Sequence, residues 1–242
     1  MSRGRKLFFL LLTVIPLIGC TTKAPTIAHT HIGHAITGWI ETPGQTGLLI
    51  TAEQEGATVA ANTRQAAAAA NLDATRRAVT EALHALDPSS APGGTAGLGF
   101  GLLPAVRETL SHMAFAAESD DASANVRTSV PEINKKATSI VSRCNELEVL
   151  GRAALASRSA KEAKLLAREM DKLAAGIVDD GTGVTYGLAH LRTDIEAMID
   201  REDPRYTTVD TWYLLNLVRL PSGKWIFQQR DPGSTSGYGF PQ

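Results

Sequence analysis

The sequence of 242 residues contains only two cysteines, Cys20 and Cys144, and neither belongs to a C-x-x-C-H motif, which excludes covalently attached haem. The sequence also lacks an H-E-x-x-H zinc motif, a G-x-S-x-G nucleophile motif, an S-x-x-K motif and a P-loop. Its serine, histidine and aspartate residues show no local arrangement that specifies a catalytic triad. The residues therefore do not indicate an enzyme.

No apolar run has the length of about 20 residues that a membrane-spanning helix needs. The longest run covers residues 7–18 and follows three cations within the first six residues. A basic segment followed by a short apolar segment is typical of an export signal. We therefore expect residues 1–19 to be a signal peptide and not part of the folded domain.

The last residues of that segment, Leu17-Ile18-Gly19-Cys20, resemble the lipobox of bacterial lipoproteins. The resemblance implies cleavage before Cys20 and lipidation of its thiol by acyl chains such as palmitate. It also implies a cell-envelope protein anchored to a membrane. Thr21 stands where an Asp retains many lipoproteins in an inner membrane, so an outer-membrane location facing the periplasm is expected. Acylation of Cys20 would leave Cys144 without a cysteine partner for an intramolecular disulfide.

The charge balance excludes a nucleic-acid partner. Residues 1–19 contain three of the 24 Lys and Arg residues and none of the 25 Asp and Glu residues, so the remaining chain has a net charge of −4. Nucleic-acid-binding proteins present a basic surface. The expected partners are the membrane, through the lipid, and a protein that the sequence does not identify.

The pattern of apolar residues predicts a mainly α protein, an antiparallel helical bundle with a small C-terminal β-hairpin. The predicted regions are a signal peptide (1–19), a lipidated tether containing histidines (20–47), a helical bundle (48–203), a β-hairpin (204–230) and a flexible tail (231–242). The hairpin is indicated by the turn sequence at 221–223 and by Trp225 and Phe227 at a period of two.

Within the bundle, the spacing predicts one helix over 51–86 and another that begins near Pro104. The clearest apolar seam has alternating spacings of three and four and contains Val126, Val130, Ile133, Ala137, Ile140, Cys144 and Leu147. Pro131 makes this region either one kinked helix or two successive helices. Two further helices are expected around 160–177 and 188–199. In the loop before Pro104, the spacing of Gly97, Gly99 and Gly101 matches no phosphate-binding motif, so a flexible connection is expected.

The most suggestive group for chemistry is His29-x-His31-x-x-His34, because imidazoles one helical turn apart can share a transition-metal ion. A closed site needs a further ligand, which the sequence does not identify. His84, His112 and His190 lie away from the apolar stripes of their helices, so each is expected to be partly exposed or structurally hydrogen-bonded. The alternative interpretation is that Ile32, Ile36 and Trp39 dock a short amphipathic segment, with the histidines beside it.

Residues 179–184 resemble a shortened calcium loop without its closing Glu, and a helix-to-helix turn is the simpler expectation. The segment 30–39 with the downstream helices is similar to exported helical proteins of bacteria, a resemblance that implies no activity. The sequence thus predicts a non-enzymatic binding or scaffolding module outside the cytoplasm. The alternative is a helical bundle that binds a metal, or non-covalent haem, through the N-terminal histidines.

Overall fold

The computed structural model describes residues 26–178 and 185–202, together with the backbone of three short strands farther along the chain. The predicted signal peptide, Cys20, the tether as far as residue 25, the loop at 179–184 and the C-terminal tail lie outside the described residues. The fold is mainly helical, as predicted. Among the described residues, no helix is both long and apolar enough to cross a membrane.

Seven α-helices form the described bundle, with a 3-10 turn at Pro43–Gln45 between the first two. They are α1 (Ile27–Ile36), α2 (Leu48–Ala68), α3 (Leu72–Leu86), α4 (Leu102–Glu118), α5 (Ala124–Ala156), α6 (Ala160–Val178) and α7 (Leu188–Asp200). Helix α2 packs against α3, α4 and α6, and α5 packs against α4 and α6. One continuous apolar core results.

The predicted seam of α5 is confirmed, because all seven of its apolar residues are buried. Cys144 lies in this seam with 0% of its surface exposed, and burial raises the pKa of its thiol to about 12. A thiol that stays protonated and inaccessible is a packing residue rather than a nucleophile. Helix α5 runs through Pro131 without a break, so the one-helix alternative is the correct one.

The prediction of a single helix over 51–86 is wrong. The chain forms two helices there, α2 and α3, which are separated by residues 69–71. Asn71 starts α3 by accepting a hydrogen bond from the backbone N–H of Ala74 at 2.9 Å. Asp73 lies in the first turn of that helix, where a negative charge is favourable. A side-chain cap of this kind begins a new helix even where no proline or glycine interrupts the pattern.

Helix α1 forms within the region expected to be a tether, and it packs against α4 and α2. Thr26 caps it by accepting the N–H of His29. The carboxylate of Asp121 accepts the N–H groups of Ile27 at 2.6 Å and Ala28 at 3.1 Å, so it caps α1 rather than the helix that follows it. The histidine-containing segment is therefore part of the bundle.

The glycine-rich loop before α4 is held in place and is not the flexible connection that was expected. Gly97, Gly99 and Gly101 have φ angles of 91°, 82° and 96°, which favour glycine. The fully buried carboxylate of Glu55 accepts N–H groups from Leu98, Phe100 and Gly101 at 2.9–3.1 Å. The backbone N–H groups of the loop thus bind an anion, as those of a phosphate-binding loop do. Here the anion is the carboxylate of Glu55 on α2.

Beyond residue 202, the structure describes three strands, β1 (Thr211–Trp212), β2 (Leu217–Arg219) and β3 (Trp225–Phe227). Their backbones are antiparallel neighbours in the order β1-β2-β3. Most of the residues of the predicted hairpin, including its turn at 221–223, lie outside the described residues. The hairpin over 204–230 therefore remains a prediction.

Candidate metal centre

Three histidines from two helices meet at the contact between α1 and α4. His31 and His34 lie on α1, three residues apart and therefore on one helical face, and His112 lies on α4. Each of the three offers a ring nitrogen, and these three nitrogens lie within 4.8 Å of one another. The structure thus brings two of the three histidines proposed from sequence together with one that the sequence analysis placed elsewhere.

His112 was expected to be partly exposed or structurally hydrogen-bonded, and the second alternative applies, since it is only 9% exposed and its Nδ1 atom is within hydrogen-bond distance of His31. The side chain is not exposed because α4 is buried on two faces. One face carries its apolar residues into the core. The face that carries His112 also carries the small buried residues Ala105, Thr109 and Ala116. Small residues allow a neighbouring helix to approach closely, which permits α1 to cover this face.

The spacing of the ring nitrogens is close to that of a metal-bound set. Nδ1 of His31 lies 3.1 Å from Nδ1 of His112. Two nitrogens bound to tetrahedral zinc at 2.0–2.1 Å would lie about 3.3 Å apart. Since no two of the three nitrogens are more than 4.8 Å apart, each separation would have to close by at most about 1.5 Å, which imidazole side-chain rotations can achieve.

The ring of His34 has a buried nitrogen, Nδ1, without a hydrogen-bond partner among the described residues. The rings of His34 and His112 both pack against Trp39, with centroid distances of 4.5 and 4.7 Å, and Phe115 packs against His31 and His112. A buried polar atom without a partner is unfavourable, and a metal ion would satisfy it.

All three imidazoles have lowered pKa values and are therefore neutral at pH 7. Burial, followed by the neighbouring His112 and His31, lowers the pKa of His34 to about 4. Burial lowers the pKa of His112, and His31 lowers it further. Burial also lowers the pKa of His31, against a smaller opposite effect of Asp121. Neutral imidazoles have the lone pairs that metal coordination requires.

His29 lies outside this group. On a helix it points roughly 200° away from His31, since successive residues differ by about 100°. Its Nε2 atom lies 3.3 Å from Oε2 of the buried Glu202, and its Nδ1 atom lies 2.8 Å from Oγ1 of Thr26. His29 therefore connects the beginning of α1 to the end of α7.

The remaining two histidines also lie elsewhere. Nδ1 of His84 is 2.9 Å from the carbonyl oxygen of Ala91, which makes His84 the structurally hydrogen-bonded residue that was expected. His190 lies beside the ring of Tyr186 at a centroid distance of 5.8 Å.

No protein-family model matches the chain, and no curated protein or solved structure matches it. Any functional conclusion must therefore come from the geometry of the site.

Proposed function

We propose that this protein is a lipid-anchored, non-enzymatic module that binds a divalent transition-metal ion such as Zn²⁺ or Cu²⁺ through His31, His34 and His112. The observation that carries the proposal is the convergence of three ring nitrogens within 4.8 Å, supplied by two helices. Imidazole is a suitable ligand for zinc, copper and nickel, and three imidazoles leave a further coordination position available.

The arrangement supports a small ion better than haem. A haem held by two histidines needs its flat macrocycle between the two rings. The rings of His31 and His112 are in direct contact, with their Nδ1 atoms 3.1 Å apart. A single ion bound at one edge of the three rings needs no such gap.

Titration calorimetry with Zn²⁺ on the mature chain without an affinity tag tests the proposal. We expect one ion per chain, and a loss of binding of at least a hundredfold in a His31→Ala, His34→Ala double variant and in His112→Ala. His190→Ala is the matched control, because His190 lies outside the group, and it should bind as the unsubstituted chain does. Equal affinities in all four proteins would contradict the proposal.

The lowered pKa values predict that binding persists to lower pH than it would for ordinary histidines. Protonation of an imidazole with a pKa of 6.5 weakens metal binding about tenfold at pH 5.5, about one unit below that pKa. Protonation of three such imidazoles would weaken binding about a thousandfold at pH 5.5. Because the pKa of His34 is lowered to about 4 and the pKa values of the other two histidines are also lowered, we expect a smaller loss of affinity. Zn²⁺ affinities measured at pH 7.5 and 5.5 would reveal a thousandfold loss if the imidazoles titrate normally.

The proposed lipid anchor rests on the sequence Leu17-Ile18-Gly19-Cys20 after a basic and apolar segment. Two or more acyl chains attach a protein stably to a membrane. We expect Cys20→Ser to abolish lipidation and either release the protein from the membrane fraction or block its processing. Cys144→Ser is the control, since it also removes a thiol but leaves the lipobox intact. Unchanged membrane attachment and processing of the Cys20 variant would refute the anchor.

We also propose that residues 204–230 form a β-hairpin at the C-terminal end of the bundle. The proposal is supported by the turn sequence Pro221-Ser222-Gly223 and the alternation of Trp225 and Phe227. Since an isolated hairpin is marginally stable in water, its aromatic face is proposed to pack on the helices.

A further inference from the structure

Two acidic residues belong to the chain segments that enclose the three histidines, one on α4 and one just after Trp39, whose ring packs on His34 and His112. Glu108 is on α4, four residues before His112, so both side chains lie on the same face of that helix. Glu41 follows Trp39 by two residues and lies close enough to Glu108 to raise the pKa of its carboxyl group. Glu108 therefore lies one helical turn from His112, and a second carboxylate lies close to it.

Neither carboxylate has a compensating partner among the described residues. The exposed Glu41 and the half-buried Glu108 form no hydrogen bond or ion pair there, whereas the partly buried Glu53 and Asp194 are paired with Arg192 and Lys136. Glu108 is also half-buried, and burial contributes the larger part of its raised pKa. A half-buried carboxylate that has another carboxylate nearby and no cation partner is unfavourable, and a bound cation would relieve it.

We propose that Glu108 is the fourth protein ligand of the metal centre formed by His31, His34 and His112, an inference that rests on the proposed function. Two ligands four residues apart on a helix can bind one ion, as the two histidines of H-E-x-x-H zinc sites do. The Glu108 carboxylate lies outside the group of nitrogens within 4.8 Å, so ligation requires rotation of its side chain. Its position at the partly exposed edge of α4 allows that rotation.

A carboxylate ligand determines which metal the site prefers. Three neutral imidazoles leave the full charge of the ion uncompensated, and one carboxylate removes half of the charge of a divalent ion. Oxygen ligands favour divalent ions, while monovalent copper prefers soft sulfur ligands and gains little from a carboxylate. Glu108 therefore favours Zn²⁺ and Cu²⁺ over Cu⁺.

The test compares Glu108→Gln with Glu41→Gln in the full mature chain. Both substitutions remove one charge and keep the side-chain shape, but only Glu108 shares the face of His112. Zn²⁺ and Cu⁺ affinities are measured by competition with chelators of known affinity, and circular dichroism checks that each variant is folded. We expect Glu108→Gln to weaken Zn²⁺ binding at least tenfold and to change Cu⁺ binding less than threefold. Glu41→Gln should change both less than threefold.

Two results would overturn the assignment of Glu108. Equal weakening by both substitutions would show that the carboxylates act only through their charge. Unchanged Zn²⁺ affinity in Glu108→Gln would show that it is not a ligand. Failure of the unsubstituted chain to bind Zn²⁺ would instead overturn the proposed function itself, so the two failures are distinguishable.

Discussion

Saturation with Zn²⁺ is expected to raise the free energy of unfolding by about 2.7 kcal/mol at a free-ion concentration one hundred times the dissociation constant. The physical reason is that His31 and His112 are 81 residues apart in sequence and meet only when α1 lies on α4. An ion that needs both helices binds the folded chain and has no comparable site in the unfolded one. Denaturant titrations with and without Zn²⁺ measure the difference.

His112→Ala should remove most of this stabilisation while leaving α1 in place through its buried residues Ala28, Ile32 and Ala35. Mg²⁺ provides a second control, since it prefers oxygen ligands and should have no effect at the same concentration. An equal Zn²⁺ effect in the unsubstituted chain and in His112→Ala would mean that the ion binds elsewhere.

Glu55→Ala is expected to lower the free energy of unfolding by about 3 to 4 kcal/mol, because it leaves the buried or partly buried N–H groups of Leu98, Phe100 and Gly101 without their acceptor. Gly101 is also the residue that precedes α4, so the carboxylate lies at the positive end of that helix. Thermal and denaturant unfolding of the variant measure the loss.

Glu81→Ala is the matched control in the same loop. Glu81 accepts N–H groups from Thr95 and Ala96 at 2.8 and 2.7 Å, and these hydrogen bonds, with that of Thr95 first, lower the pKa of its carboxyl group. Because Glu81 is partly exposed, water can replace it, and a loss of only about 1 kcal/mol is expected. A similar loss of unfolding free energy in the two variants would show that the burial of Glu55 does not determine how much it stabilises the fold.

The sequence predicted the helices well where a helix has a single buried face and that face carries its apolar residues. The seam of α5 is the best example, since its spacing of three and four residues identified seven side chains that are all buried. The boundary between α2 and α3 was missed because it depends on a single cap at Asn71, which leaves the apolar spacing unchanged. Helix α1 was anticipated only by the alternative of a docked amphipathic segment, whose Ile32 is indeed buried, because the Gly, Thr and His residues are also typical of a tether.

Only part of the candidate site could be predicted. His31 and His34 are neighbours on one helix, so their spacing is visible in the sequence. His112 is brought to them by tertiary packing, and its position opposite Leu103 and Leu110 indicated only a partly exposed or structurally hydrogen-bonded side chain. A second stripe of small residues, Ala105, Thr109 and Ala116, was the available signal that α4 has another covered face.

The sequence separation of 81 residues between His31 and His112 also determines when, during synthesis, the proposed metal centre can form. A growing chain presents the three N-terminal histidines long before α4 exists, and these residues alone cannot assemble the group found at the contact of α1 and α4. Closing a chain loop of 81 residues must precede ligation. On the proposed function, the ion would be acquired in the compartment where folding is completed, and the metals available there would select the one that the protein carries.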